Sequence, residues 1–147
     1  MSSVIKSPLA KTILGFDFGT LRIGIAVGQT FTETSTPLAP ITARDGIPDW
    51  DALGKIILEW QPDLFVVGKP LNMDGSESDM SRRASKFGNR LHGRFHKPII
   101  MVDERLSTRE AKEIYLSQGG TADFKKNAVD SIAASLILET WFSQQES

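Results

Sequence analysis

Four acidic positions in this 147-residue chain stand where side chains could do chemistry: Asp17, the adjoining pair Asp103 and Glu104, and Asp130. Asp17 closes the apolar run Thr12–Asp17 just before a glycine turn, and Asp103-Glu104 closes the run that begins at Ile99. Carboxylates at the carboxyl ends of buried strands sit where α/β sheets tend to place their chemistry. Asp130 falls at the opening of an apolar helical stretch. Each also has an ordinary structural explanation. Asp17 suits a turn, Asp103-Glu104 suits the solvated end of a strand beside Arg105, and Asp130 suits the positive end of a helix dipole. Strand geometry sends Asp103 and Glu104 to opposite faces, so at most one shares a site with Asp17, and spacing does not say which. Brought together, three carboxylates repel one another unless a cation compensates them. An oxygen-only donor set suits Mg²⁺ or Mn²⁺, which share their coordination with phosphate oxygens. Two such ions about 3.5–4 Å apart activate a water and stabilise the leaving oxygen in phosphodiester hydrolysis.

Other metal chemistries fit poorly. The chain has no cysteine, which removes thiolate zinc sites, iron–sulfur ligation, disulfides and cysteine nucleophiles. His92 and His96 have i, i+4 spacing but no evident third ligand, so a zinc site is not expected. The stretch Asn72–Asp79 is loop-like and acidic, yet it lacks the ligand order and terminal glutamate of a calcium loop. Apolar residues make up 40% and charged residues 24%, a balance that suits a folded domain and not a disordered chain. No apolar run approaches the roughly 20 residues that span a bilayer, and the opening residues lack a signal-peptide core, so a cytoplasmic protein without a membrane partner is expected. The net charge of -1 argues mildly against a general nucleic-acid binder. Its distribution is uneven, however. Arg82, Arg83, Lys86, Arg90, Arg94 and Lys97 occur between Ser81 and Val102 without a single acid among them.

The elements that must position these residues are legible in outline. Thr12–Asp17 and Arg22–Gly28 read as a β-hairpin: Ile23, Ile25 and Val27 alternate with small or polar residues, and Gly19 lies in the connection. A short strand is expected near Leu38–Ile41. Trp50–Trp60 reads as a helix with Asp49 or Asp51 as its start signal and Pro62 beyond its end. Leu64–Gly68 reads as a buried parallel strand. Met80, Ala84, Phe87, Leu91 and Phe95 mark one helix face, with Gly88 and Gly93 weakening its later turns, and Ile99–Asp103 is the next strand. Ser107-Thr-Arg-Glu110 is a capping box for a helix ending at Gly119-Gly120. A last helix is expected over about Asn127–Phe142. This order predicts an α/β mixed sheet with helices packed on it. A single domain over residues 12–142 is expected, with flexible tails at 1–11 and 143–147.

Four blocks then give the pattern a family likeness. Ile13-Leu-Gly-Phe-Asp-Phe-Gly-Thr-Leu-Arg-Ile-Gly-Ile-Ala-Val-Gly28 resembles the opening of the YqgF (RuvX-like) family of small ribonuclease H-like proteins. Val67-Gly-Lys-Pro-Leu-Asn-Met-Asp-Gly75, Val102-Asp-Glu-Arg-Leu-Ser-Thr108 and Val129-Asp-Ser-Ile-Ala-Ala134 follow in the family's order, so the likeness runs from about Thr12 to Phe142. The resemblance implies a ribonuclease H-like fold, a five-stranded mixed sheet flanked by helices. It also implies that Asp17, Glu104 and Asp130 form an acidic catalytic and metal-binding site, which selects Glu104 over Asp103 by analogy alone. Members look like metal-dependent nucleases that trim the 5′ end of precursor 16S ribosomal RNA, and they also resemble Holliday junction resolvases. One departure is Lys69, where an apolar residue is expected between the glycine and proline of the second block; it adds a candidate phosphate contact.

Further substrate-binding candidates are Arg22 and Asn72 beside Asp17, and Arg105 and Arg109 from the other side. Arg83, Lys86, Arg90 and Arg94, at i, i+3, i+7 and i+11, form a basic stripe opposite the Phe87–Leu91 face. Such a stripe is either a solvated helix surface or a backbone-binding track with salt-dependent affinity. The expected partner is nucleic acid, precursor rRNA before a DNA junction, with ribosomal particles as a further partner and a monomer or weak dimer as the assembly. Two other readings compete. Asp17-Phe-Gly-Thr20 also resembles the phosphate loop of actin-like ATPases and sugar kinases, but those proteins need a second large domain, and no Walker A motif is present. A non-catalytic RNA-binding factor on the same scaffold is the third reading, since fold and function are separable.

Overall fold

The computed structural model describes residues 11–103 and 122–145, the last segment with side chains from Ser131 onward. The described elements are β1 (Thr12–Asp17), β2 (Arg22–Gln29), β3 (Thr34–Arg44), β4 (Ile47–Pro48), α1 (Trp50–Trp60), β5 (Leu64–Lys69), α2 (Asp79–Phe95), β6 (Ile99–Asp103) and α3 (Ala122–Gln145). Glu104, Arg105, Arg109, the Ser107–Glu110 capping box and Gly119-Gly120 lie outside the described residues, as does the side chain of Asp130.

The six strands form one mixed sheet in the order β4-β3-β2-β1-β5-β6. β1 pairs antiparallel with β2 and parallel with β5, and β6 extends the parallel half. The strand beyond the expected five is β4, only two residues long, which pairs with the end of β3. β3 itself departs from expectation, running 11 residues where Leu38–Ile41 was expected. Most of its residues are exposed or half-buried, so no strong apolar alternation marks it, and Pro37 and Pro40 interrupt it. Prolines are tolerated near a sheet's edge, where pairing with β2 builds the strand regardless of local pattern.

The helices start and stop for local reasons. Asp49 is the cap of α1, its carboxylate accepting from the amides of Asp51 and Ala52, which leaves Asp51 as a first-turn acid. Ser78 and Ser81 form a reciprocal capping box at the start of α2, which runs through both glycines to Phe95 and ends on His96 in the left-handed region. α3 is longer at both ends than Asn127–Phe142, because Ser143, Gln144 and Gln145 continue the helix after the apolar pattern stops. No helix among the described residues is long and apolar enough to cross a membrane.

Alternation along the strands divides the apolar residues between two faces. Leu14, Phe16, Ile23, Ile25, Phe65 and Val67 pack with Leu53, Ile57, Ala84, Phe87 and Leu91 of α1 and α2. Ile13, Ala26, Leu64, Val66 and Val102 pack with Ala134, Ile137, Leu138, Trp141 and Phe142 of α3. Phe87 joins the first core to the sheet, with its ring 5.5 Å from that of Phe16 and 5.5 Å from that of Phe18. Each fully buried side chain of this size stabilises the fold by about 1.5–3 kcal/mol. The sheet therefore holds the carboxyl ends of β1, β5 and β6 at one edge, between two packed layers.

Candidate active site

Asp17 ends the central strand at that edge. Phe16 of β1 stands beside Val67 of β5, and Lys69 beside Asp103 of β6, so the three strands finish together. Face is decided by alternation. Ile13 packs in the α3 core and Gly15 lies under Leu138, so Asp17 belongs to the α3 face. Ile99 and Met101 pack against the α1–α2 core and Val102 against the α3 core, so Asp103 belongs to the face opposite Asp17. Within the ambiguous pair, Asp103 is thus separated from Asp17 by the sheet.

The turn after Asp17 is held by its neighbours. A Cβ on Gly19 would lie 2.4 Å from the Arg22 carbonyl oxygen, a contact with backbone that no side chain can relieve. The Thr20 carbonyl accepts from the Gly46 amide at 2.9 Å and the Leu21 carbonyl from the Ala43 amide at 2.8 Å. Phe18 is buried beneath. Asp17 stands opposite Gly24, and Arg22, two residues before Gly24, falls on the same α3 face. A half-buried carboxylate and a guanidinium thereby share one side of the strand ends.

α3 approaches the same end. The Ser131 hydroxyl accepts from the Ile25 amide at 3.4 Å and donates to the Leu38 carbonyl. Farther along, Ala134 and Leu138 lie over Gly15, and Leu138 and Phe142 over Gly28. Gly28 is the register partner of Ile13 and Ile25 that of Phe16. The helix therefore runs against the direction of β1, and its backbone at Asp130 lies toward the end where Asp17 sits. Ser35 adds a second polar contact, its hydroxyl bonding that of Ser135 and donating to Glu139 at 3.1 Å.

Two of the expected phosphate contacts are engaged in a loop. Lys69, on the α2 face with Phe65 and Val67, pairs with Glu77 at 2.6 Å. Asn72 donates to the Ser76 hydroxyl at 3.0 Å and to the Glu77 carbonyl at 3.1 Å, and the Ser78 hydroxyl donates to the Pro70 carbonyl. The Lys69 ammonium first, then the Ser81 hydroxyl, hold the Glu77 carboxyl below the usual glutamate range. A depressed folded-state value means that the pair's contribution is present above the unfolded glutamate value and is lost as the pH falls through the folded one. A carboxyl-carbon NMR titration is therefore expected to place Glu77 below free glutamate, and Lys69→Met to raise it. Equal midpoints in the two proteins would contradict the pairing.

The basic stripe on α2 is tied down at both ends. Arg83 donates to the Asp45 carboxylate at 2.7 Å and to its carbonyl at 3.1 Å. That hydrogen bond, reinforced by charge, lowers the Asp45 carboxyl from its ordinary value and raises the Arg83 guanidinium. Arg94 lies over the Trp50 ring, 4.0 Å from its centroid, as a cation–π contact. Lys86 is exposed and Arg90 half-buried between these anchors. The His92 ring bonds the Lys97 carbonyl through Nδ1 at 2.9 Å. Among the described residues no three potential ligands cluster as a metal site. Residue spacing disclosed neither the Ser131 bridge nor the Arg83–Asp45 pair, because both join segments distant in the chain.

The family model described as RuvX, Holliday junction resolvase, matches residues 11–144. A protein of Chromohalobacter salexigens named "Putative pre-16S rRNA nuclease" is 59% identical over 133 residues, 90% of each chain. A protein of the same name from Colwellia psychrerythraea is 52% identical over 146 residues, 99% of each chain. Among solved structures, T. thermophilus RuvC in complex with Holliday junction substrate superposes with a TM-score of 0.54 at 15% identity, over 92% of this chain and 96% of that one. The fowlpox virus resolvase in complex with Holliday junction DNA gives a TM-score of 0.55 at 12% identity, over 92% and 99%. At those identities the structural likeness speaks for the fold alone.

Proposed function

The chain belongs to the RuvX family and has a ribonuclease H-like fold, and from that premise we propose that it is a metal-dependent nuclease acting in 5′-end maturation of precursor 16S rRNA. The observation that carries this reading is the placement of Asp17 at the carboxyl end of β1 on the face covered by α3, with the Asp130 backbone toward the same end. The curated names of relatives more than half identical over nearly the whole chain support the RNA substrate.

In this reading Asp17, Glu104 and Asp130 are catalytic and hold Mg²⁺ or Mn²⁺. The donor chemistry fits: Asp17 is a hard oxygen donor in a half-buried position, and the separation of Asp103 onto the other face supports Glu104, which the family resemblance names, as the second acid. A divalent cation held by these carboxylates would supply a water nucleophile near neutral pH and charge for the departing oxygen. Arg22 holds a phosphate on the Asp17 side, and Arg105 and Arg109, which follow β6 in the sequence, are the further phosphate-binding candidates. Lys86 and Arg90, on the helix that covers the sheet face opposite Asp17, track RNA backbone away from the cleaved phosphate, while the anchored Arg83 orients that face of α2 against the β3–β4 turn. Lys69 and Asn72 act through the β5–α2 loop, whose shape they maintain. The protein works in the cytoplasm, where its RNA is made.

The test is cleavage by purified protein of a precursor 16S rRNA 5′ segment and of a four-way DNA junction, each with Mg²⁺, Mn²⁺ or chelator. The junction is the second substrate because both solved neighbours described above are named for it. Metal-dependent cutting of the RNA is expected. Cutting of the junction alone reassigns the protein to resolution, and tight RNA binding without cutting reassigns it to a binding factor.

A further inference from the structure

β2 and β3 fall out of register between Ile23 and Ile25. Ile23 stands opposite Ile41 and Ile25 opposite Leu38, so β3 carries one residue more than β2 across this interval, and that interval contains Pro40. A bulge of this kind disrupts the ladder and leaves backbone groups seeking partners. Ser131, a residue only 2% exposed, places its hydroxyl at the edge of this gap. It accepts from the Ile25 amide on β2 and donates to the Leu38 carbonyl on β3, so both hydrogen-bonding capacities of one oxygen join two strands to the helix. A buried hydroxyl satisfied on both sides tolerates little change in helix height or rotation, because either bond lost leaves a buried polar group unpaired. Asp130 is the preceding residue.

We infer that Ser131 is a positioning residue, which sets the height and rotation of α3 so that Asp130 meets Asp17 at the strand ends. This rests on the metal-site reading above. Residues that orient metal ligands commonly govern affinity by 10–100-fold when removed. Ser135, one turn later, is the natural comparison: it too bonds the sheet through Ser35, but it lies farther from the strand ends.

Isothermal titration of the metal-free, full-length protein with Mn²⁺, together with the kinetics of RNA cleavage, tests the assignment. Ser131→Ala is expected to weaken Mn²⁺ binding about 10-fold and to lower kcat with KM for RNA unchanged. Ser131→Thr, which keeps the hydroxyl, binds Mn²⁺ more tightly than Ser131→Ala. Ser135→Ala lowers the thermal midpoint but leaves Mn²⁺ binding at the wild-type level. Wild-type affinity in Ser131→Ala, or equal weakening in Ser135→Ala, overturns the positioning role. An Asp17→Asn protein that binds Mn²⁺ as tightly as the wild type overturns the metal reading itself, and this assignment with it.

Discussion

Asp17→Asn is expected to lower the rate of metal-dependent RNA cleavage by about 10³-fold or more, a barrier increase of about 4 kcal/mol, with no loss of fold. The amide keeps the size of the carboxylate and removes its charge, so it gives up the strongest interaction with a divalent ion. Apolar packing and backbone bonds hold the strand on either side of that charge. Phe16 and Phe18 on either side are buried in the α1–α2 core, and the following turn is held by backbone bonds from Gly46 and Ala43. In metal-free protein the substitution also removes one charge from a site where carboxylates would repel, so the thermal midpoint is expected to stay level or rise. Rate and midpoint measured on the same preparation separate the outcomes. Full cleavage in the variant would remove Asp17 from catalysis, whereas lost cleavage with a lowered midpoint would make it a structural residue.

The second large effect concerns the layer that carries Asp130. Gly15 sits in the middle of β1, and a Cβ there would lie 2.6 Å from Leu138 Cγ, 2.9 Å from Leu138 Cδ2 and 3.2 Å from the Ala134 carbonyl oxygen. Glycine at this point allows α3 to lie directly on the strand. Gly15→Ala is expected to destabilise the protein by about 1–3 kcal/mol, since the branch point of Leu138 and a helix carbonyl must both retreat. Leu138→Ala alone empties a buried site and is expected to cost about 2–5 kcal/mol. The double variant is expected to cost less than the two together, because the new methyl occupies space that the leucine vacates. Urea unfolding of the four proteins measures the coupling. Additive costs would show that α3 does not bear on β1 at Gly15. With Asp17 and Asp130 sharing the proposed site, cleavage is expected to fall in Gly15→Ala as well, because lifting α3 moves the helix backbone at Asp130 away from β1.

Much of this architecture was legible in residue order. The β1–β2 hairpin shows in the alternation of Ile23, Ile25 and Val27, α1 in its Asp49 cap and apolar spacing, and β5 in an unbroken apolar run; each pattern is local, so a short window contains it. The four family blocks likewise named Asp17, Glu104 and Asp130 as the acids to examine. The tertiary structure decided the rest. β3 exists at its full length because β2 offers a partner, and its mostly exposed residues and two prolines carry no pattern that announces it. Alternation separates Asp103 from Glu104 in any strand, but only the packing of Ile99, Met101 and Val102 against opposite layers shows that Asp103 is the one turned away from Asp17. The Ser131 bridge spans 106 residues to Ile25 and 93 to Leu38. Local spacing fixes which residues share a face of their own element. Which faces of different elements meet depends on strand register and on how closely a helix can settle on the sheet, and those are properties of contacts between distant segments.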